Sequence, residues 1–145
     1  MIPTQVINNW LQHVKLKQEK LNNYPLCPFA KDMPTIVEVD KISIDVISEV
    51  KELTIYVEKT INSSIDELDT ICKKLNKKYT DHIFLPDHPS QKNYIQGIET
   101  GNQHLPLIIA QLKTELLPAR RKLENTKYYS FWDEDYLNEI KSYGN

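Results

Sequence analysis

Three side chains of the types that carry covalent chemistry stand out in the sequence: Cys27, Asp87 and His88. Cys27 and His88 are each followed by a proline, which holds the preceding residue extended and favours fixed presentation of its side chain. A thiol nucleophile, a histidine base and an orienting carboxylate form the general arrangement of an activated nucleophile. These residues therefore predict a catalytic site, although sequence neighbours such as Asp87 and His88 rarely orient one another.

Cys27 also has a structural interpretation. Cysteine behaves as a small apolar side chain in most folds, and a reactive thiol needs a nearby positive charge or histidine to lower its pKa. Cys72 lies on the apolar stripe of a predicted helix, and we expect it in the core. Cys27 is therefore either a reactive thiol or a buried one.

The same part of the sequence supplies donor types for a metal ion. The candidate donors are Cys27, His82, Asp87 and His88. Two histidines separated by five residues, with a distant cysteine, are not diagnostic of a metal site. We therefore predict no metal site, and the sequence indicates no particular cofactor.

Only two arginines, Arg120 and Arg121, occur beside sixteen lysines. The planar guanidinium binds a carboxylate or phosphate through two parallel hydrogen bonds, a geometry that lysine lacks. Adjacent residues on a helix point about 100° apart, so at most one of the two can face a site. We expect Arg120 or Arg121 to hold an anionic group of a ligand; the alternative is an ordinary solvated helix face.

A long polar segment, residues 86–104, connects two predicted strands and contains two of the three glycines. Structureless loops longer than about 12–15 residues are uncommon in compact domains and are usually functional or disordered. We predict Thr100 and Asn102 as ligand-binding residues of this segment. The alternative is a surface loop with a short strand over residues 94–98.

Aromatic side chains cluster towards the C-terminal end, with acidic residues among them. The aromatic residues are Tyr128, Tyr129, Phe131, Trp132, Tyr136 and Tyr143, and the acidic ones are Asp133, Glu134 and Asp135. The acidic groups argue against a nucleic acid partner, because they repel its phosphates. We expect this segment to form a helix that docks on the domain or on a protein partner.

The segment Leu26-Cys27-Pro28-Phe29-Ala30 follows a predicted helix that carries Trp10. In these features the chain resembles a small family of uncharacterised bacterial and phage proteins with a Cys-Pro-Phe-Ala motif near the N-terminus. The likeness covers about the first thirty residues and extends loosely to Pro86-Asp87-His88-Pro89. The resemblance implies that Cys27 and His88 belong to one site, and it implies no reaction.

The composition bounds the class of protein. The chain has 145 residues, of which 40% are hydrophobic and 26% charged, and its net charge is −2. These values predict a single globular domain, residues 1–145, without a basic field for nucleic acid.

The start of the sequence lacks the pattern of a secretory signal, and the longest apolar run, residues 105–112, is too short to span a bilayer. We expect a cytoplasmic protein without a membrane partner, and the excess of lysine favours an AT-rich genome such as that of a phage.

Hydrophobic periodicity predicts helices and strands in alternation. Strands are predicted over residues 35–39, 53–59, 82–85 and 107–111, and helices over residues 4–22, 64–78 and 113–125, with a last helix capped by Ser130. Residues 42–51 fit a strand or a short helix, and we favour the helix.

The helix over residues 64–78 is the best-marked element, because Ser64 and Glu67 form a capping box. Its position between two strands predicts that residues 53–59 and 82–85 run parallel. We therefore predict an α+β fold: a two-layer sandwich of about four strands, with helices mainly on one face and extra helices at both ends. Trp10 is expected to be buried against the sheet or against Phe29.

Several functional classes remain open at this point. The sequence contains no GxGxxG, P-loop, GxSxG, HExxH or CxxC pattern. We predict a non-catalytic accessory or interaction factor that binds a protein partner through the acidic aromatic C-terminal segment. The alternative is a small enzyme, or a metal-binding protein, with a Cys27/His88 site and an anionic ligand near Arg120 or Arg121.

Overall fold

The fold is built from a mixed sheet with helices before, between and after its strands. The structure is a computed structural model and describes residues 2–27, 34–47 and 53–143. Along the chain the elements are α1 (Pro3–Lys15), β1 (Lys17–Gln18), β2 (Tyr24–Pro25), β3 (Thr35–Val39), β4 (Leu53–Glu58), α2 (Ile65–Lys78), β5 (His82–Asp87), β6 (Tyr94–Ile95), β7 (Ile98–Glu99), β8 (Leu107–Leu112), α3 (Lys113–Glu124) and α4 (Glu134–Ser142), with short 3-10 helices at Glu19–Leu21 and Tyr128–Phe131. The predicted α+β fold is confirmed.

Strand β8 lies inside the main sheet although it is the last of the four strands along the chain. The strand order is β3-β4-β8-β5. β3 runs parallel to β4, with Thr35 opposite Thr54, whereas β8 is antiparallel to both of its neighbours. β4 and β5 therefore run parallel to each other, as predicted, with β8 between them.

Helices cover both faces of this sheet. Side chains alternate along a strand, so Tyr56 and Ile108 pack with α2 in one hydrophobic cluster, and Ile55 and Leu107 pack with α1 in another. The prediction placed the helices mainly on one face, which describes α2 but not α1. The cause is the amphipathic character of α1, which buries a stripe formed by Ile7, Leu11 and Val14.

The capping box of α2 forms as predicted. The Ser64 hydroxyl accepts a 3.2 Å hydrogen bond from the backbone N–H of Glu67, and the Glu67 carboxylate accepts one of 3.2 Å from the N–H of Ser64. The helix buries Leu68, Cys72 and Leu75 against the sheet. Cys72 is therefore a core residue, as expected.

The first helix is shorter than predicted. It ends at Lys15, because residues 17–18 pair with residues 24–25 as a small antiparallel ribbon. The reversal uses Asn22 and Asn23, which have positive φ angles of 54° and 65°. Asparagine tolerates this left-handed conformation better than most residues.

The 86–104 segment contains a hairpin in place of one short strand. β6 and β7 pair across Gln96 and Gly97, whose φ angles are 51° and 79°. Two consecutive positive φ angles are typical of a type I′ turn, the connection that best suits a two-residue hairpin.

Two other predicted helices also differ from the structure. The last helix is capped by Asp133, whose side chain accepts from the N–H of Asp135, and Ser130 lies in the preceding 3-10 helix. Residues 44–46 form a turn in place of the favoured short helix, and residues 48–51 of that prediction lie outside the described residues. Within the described residues, no helix combines the length and the apolar character needed to cross a membrane.

A buried carboxylate, that of Glu58, fixes the connection between β4 and α2. It accepts hydrogen bonds from the backbone N–H groups of Ile42, Asn62 and Ser63 and from the Ser63 hydroxyl, at 2.6–2.9 Å. These donors satisfy the carboxylate away from water. Glu58 therefore holds Ser63 in place, and Ser63 in turn contacts the 86–104 segment.

Candidate functional site

A cavity of about 160 Å³ lies on the sheet face opposite α2. Its floor includes Ile55 and Ile109 of the sheet, one side includes Leu11 and Val14 of α1, and the other side comes from residues 128–143. Most of these side chains are aliphatic or aromatic. The cavity is therefore apolar, and its few polar groups determine what it can bind.

The C-terminal segment supplies an aromatic wall. Trp132 and Tyr136 stack with their ring centres 5.0 Å apart, and Tyr128 meets Trp132 edge-on at 5.8 Å. The Tyr128 hydroxyl donates to the Leu26 carbonyl at 2.6 Å, and the Tyr136 hydroxyl is hydrogen-bonded to Thr100 Oγ1 at 3.1 Å. Both hydroxyls are thus used within the protein, and the rings contribute mainly apolar surface to the cavity.

Trp132 differs from these tyrosines in its polar group. Its Nε1–H is buried and makes no hydrogen bond of good geometry within the described residues, although the Tyr128 hydroxyl lies close enough to interact with it. A buried donor without a partner costs free energy. It is therefore a position at which an acceptor on a ligand would be stabilised.

Arg120 is the most unusual polar group of the cavity. It lines the cavity from α3 and is only 7% exposed, yet it forms no ion pair or hydrogen bond with the residues that the structure describes. Burial lowers the pKa of its guanidinium, and the nearby Tyr129, Glu124 and Cys27 oppose that effect. Arginine nevertheless keeps its charge at physiological pH.

The carboxylate of Glu124 does not neutralise Arg120 by direct contact. It pairs instead with Lys141, at 3.5 Å from Nζ. Arg121, the neighbour of Arg120 on α3, is exposed. Of the two predicted anion-binding arginines, the structure places only Arg120 at the cavity.

Cys27 is half-buried and also lines the cavity. Its backbone N–H donates to the carbonyl of Val14 at 2.9 Å, which fastens it beside the end of α1. Its thiol lies close enough to Arg120 for a thiolate there to raise the pKa of the guanidinium. The structure therefore brings together Cys27 and Arg120, which are 93 residues apart in the sequence.

Trp10 links α1 to the 86–104 segment. Its indole N–H donates to the carbonyl of Thr100 at 2.8 Å, and both residues line the cavity. Trp10 is half-buried and packs against the cluster on this face, and Phe29, its other expected partner, lies outside the described residues. Thr100 therefore belongs to the cavity, as its prediction as a ligand-binding residue requires.

Asp87 brings a carboxyl group to the cavity at the end of β5. Its Oδ2 accepts from the backbone N–H of Asn102 at 3.0 Å and from the Asn102 side-chain amide at 2.7 Å. Burial raises the pKa of Asp87, and these hydrogen bonds oppose the shift only in part. A Cβ added at Gly101 would lie 2.8 Å from Asp87 Oδ1, so any larger residue there would displace the Asp87 carboxyl group.

Asn102 has a structural role that was not predicted. Its side-chain oxygen accepts from the N–H groups of His104 and Leu105, while its amide donates to Asp87 and to the Leu105 carbonyl. It does not line the cavity. Asn102 therefore organises the loop and holds Asp87, in place of the predicted contact with a ligand.

His88 is not placed as the catalytic hypothesis requires. The side chain is buried, its Nε2–H donates to the Ser63 carbonyl at 2.7 Å, and its Nδ1 accepts from the Ser90 N–H and hydroxyl at 3.0 and 2.7 Å. It does not line the cavity that Cys27 lines. Both ring nitrogens are therefore engaged in holding the loop, and the site contains Cys27 and Asp87 without His88.

The alternative metal set is not assembled either. No group of three or more His, Cys, Asp or Glu side chains in residues 2–27, 34–47 and 53–143 could hold a metal ion. Of the four candidate donors, Cys27 and Asp87 line the cavity, whereas His82 and His88 do not.

The sequence indicates the cluster of aromatic residues that forms this wall, but it does not indicate that the cluster lines a cavity. Tyr128, Trp132 and Tyr136 are spaced four residues apart, and this spacing places side chains on one face of a helical segment. The same spacing could have indicated that these rings face one surface together. Comparison with known proteins gives no further guide, since no family model, no curated protein and no solved structure matches this chain.

Proposed function

We propose that this protein binds a small organic anion in the cavity, with Arg120 as its charge partner. The observation that carries the proposal is a guanidinium that is 7% exposed, lines an apolar cavity and lacks an ion pair within the described residues. Burying a charge without a partner is costly. A ligand anion would offset that cost when it binds.

Cys27 adds a potentially nucleophilic group to the proposed binding site. A guanidinium close to a thiol favours the thiolate form, which is the nucleophile. The small-enzyme alternative therefore keeps Cys27 and an anionic ligand near Arg120, but it loses His88 as the base. Asp87, whose pKa is raised by burial, supports the proposal as a second titratable group at the same cavity.

Thermal unfolding in the presence of small carboxylates and phosphates tests the proposal. A ligand at about 100 times its Kd adds about 2.7 kcal/mol of stability, which raises Tm by roughly 5–10 °C for a chain of this size. We expect at least one anion to raise the Tm of the wild type, and Arg120→Met to abolish the shift.

Arg121→Met is the matched control, because it removes the same charge from the exposed neighbour on α3. The Tm shift should persist in Arg121→Met. The proposal is wrong if Arg120→Met and wild type respond equally to every anion tested.

An interaction role for the C-terminal segment is the second proposal. It is supported by Asp133, Glu134 and Asp135, which are exposed at the start of α4 while the aromatic residues beside them line the cavity. A protein partner would then contact the acidic side of α4. The double variant Glu134→Gln/Asp135→Asn should weaken capture of that partner without changing anion binding, and equal capture by the variant would exclude this surface.

The proposed location is the cytoplasm. Cys27 lines the proposed ligand site, and a thiol there remains available in a reducing compartment. The proposed phage or AT-rich origin is supported by the lysine bias alone.

A further inference from the structure

We infer that the ligand of this cavity is a monocyclic aromatic monocarboxylate, of about the size of benzoate. This inference rests on the proposed anion-binding function and names the class of anion. Three properties of the cavity carry it: its volume, its aromatic wall and the number of charges that its own side chains leave unpaired.

The volume suits a ligand of one ring. The cavity measures about 160 Å³, and an apolar cavity of about 150 Å³ accommodates benzene. A single six-membered ring with one small substituent therefore fills the space. A nucleotide, a dinucleotide cofactor or a peptide would extend out of the cavity into solvent.

The wall favours an aromatic ring. Trp132 and Tyr136 already stack on each other, and Tyr128 meets Trp132 edge-on. Aromatic rings prefer such offset and edge contacts with further rings. The hydroxyls of Tyr128 and Tyr136 are engaged by Leu26 and Thr100, so the wall presents ring surface in preference to hydrogen-bonding groups.

The charges favour a monoanion. Within the described part of the chain, two carboxylates line the cavity, and each is held by an amide: Asp87 by Asn102 at 2.7 Å, and Glu139 by Gln91 at 3.1 Å. The cavity also includes Lys141, which pairs with Glu124. Among the residues that the structure describes, Arg120 is therefore the cation left for the ligand. A dianion such as a phosphate monoester would add an unmatched negative charge close to Asp87 and Glu139.

The donors favour a carboxylate. The planar fork of Arg120 matches the two oxygens of a carboxylate. The buried Nε1–H of Trp132 is a further donor, which interacts with the Tyr128 hydroxyl but makes no hydrogen bond of good geometry in the described residues. Both side chains line the same cavity. One carboxylate could accept from both.

Isothermal titration calorimetry with four probes tests the inference. The probes are benzoate, benzamide as its neutral isostere, phenyl phosphate as a dianion with the same ring, and acetate as a carboxylate without a ring. We expect benzoate to bind, and the other three to bind at least about tenfold more weakly, since each loses one of the three matched properties.

Single substitutions test which side chains contact the ligand. Arg120→Met should weaken benzoate binding at least about tenfold, and Arg121→Met should leave it unchanged. Trp132→Phe should weaken it about three- to tenfold, because a six-membered aromatic ring stays while the N–H and the five-membered ring are lost. Equal binding of benzoate and benzamide, tighter binding of phenyl phosphate or acetate, or no binding of benzoate overturns the inference.

These outcomes separate the inference from the proposed function. If another anion binds in an Arg120-dependent manner while benzoate does not, the class is wrong and the anion-binding function stands. If no anion depends on Arg120, both are wrong.

Discussion

The Tyr128 hydroxyl donates a 2.6 Å hydrogen bond to the carbonyl of Leu26, a residue 102 positions earlier in the chain. Leu26 directly precedes Cys27, and Tyr128 begins the aromatic wall. This single bond therefore fastens the wall to the backbone that carries the thiol. The geometry of the cavity depends on both parts staying together.

Tyr128→Phe removes this hydrogen bond and leaves a buried carbonyl without a donor. Such a loss costs about 1–3 kcal/mol, so the free energy of unfolding measured in urea should fall by that amount. Tyr129→Phe is the control, because the Tyr129 hydroxyl makes no hydrogen bond within the described residues. Equal stability of Tyr128→Phe and wild type would show that the bond contributes nothing to the fold.

Arg120→Met should stabilise the protein in the absence of ligand. Methionine has a flexible apolar side chain that can fill the space of the arginine stem, and the substitution removes a buried charge that has no ion pair among residues 2–27, 34–47 and 53–143. We expect the free energy of unfolding to rise by about 1 kcal/mol or more. Arg121→Met should stay within about 0.5 kcal/mol of wild type. A clear loss of stability in Arg120→Met would mean that the guanidinium stabilises the fold itself. That result would contradict its assignment as the charge partner of a ligand.

Asp87 should make stability fall as pH rises. Burial raises the pKa of its folded-state carboxyl group above the ordinary value of 3.8. Below the unfolded pKa of about 3.9, the carboxyl group is protonated in both states. As pH rises towards the folded pKa, the unfolded state loses its proton first, so unfolding becomes more favourable.

The measurement is the difference in unfolding free energy between wild type and Asp87→Asn, taken from about pH 4 to pH 7. Wild type should lose stability relative to Asp87→Asn over this range, because only wild type carries the Asp87 carboxyl group. The same comparison with exposed Asp81→Asn is the control. A difference that does not change with pH, or changes in the opposite direction, contradicts the assignment.

The two cysteines should differ sharply in reactivity. Cys72 is fully buried, and burial raises the pKa of its thiol, so it should react with alkylating reagents only after unfolding. Cys27 lines the cavity and should react in the native protein. Mass spectrometry should therefore find one alkylated thiol in the native chain and two in the unfolded chain. Native modification of Cys72 would contradict its place in the core.

The pH midpoint of Cys27 alkylation, measured in Cys72→Ser, identifies the group that activates the thiol. Arg120→Met should move the midpoint upwards, because a nearby cation favours the thiolate. His88→Ala should leave it in place, because both nitrogens of His88 are engaged by Ser63 and Ser90. The opposite pattern would restore the Cys27–His88 pair that the sequence suggested.

Local signals in the sequence predicted local structure well. The capping box at Ser64 and Glu67 set the start of α2, because both partners lie within one turn. The central position of β8 was not predictable in the same way, since strand order depends on contacts between distant segments. The end of α1 was misplaced because the pairing of residues 17–18 with 24–25 outweighs the helical periodicity that continues past Lys15.

The residues of the candidate site were likewise predictable only where local information was enough. Residue type pointed to Cys27, Asp87 and Arg120, because few side chains offer a thiol, a loop carboxylate or a planar cation, and all three line the cavity. Residue type did not predict the role of His88, because that role depends on a hydrogen bond to Ser63, which lies 25 positions earlier. A histidine can act as a base or hold a loop, and only its hydrogen-bond partners distinguish the two.

The central place of β8 has a consequence for the order of folding. β4, α2 and β5 precede it in the chain, but β4 and β5 do not pair with each other. The edges of β4 and β5 that face each other therefore stay unpaired until β8 is inserted between them. Pairings between distant segments form slowly, and unpaired strand edges are templates for association between chains. A refolding chain should therefore be most prone to aggregate in the interval after α2 has formed and before β8 is inserted.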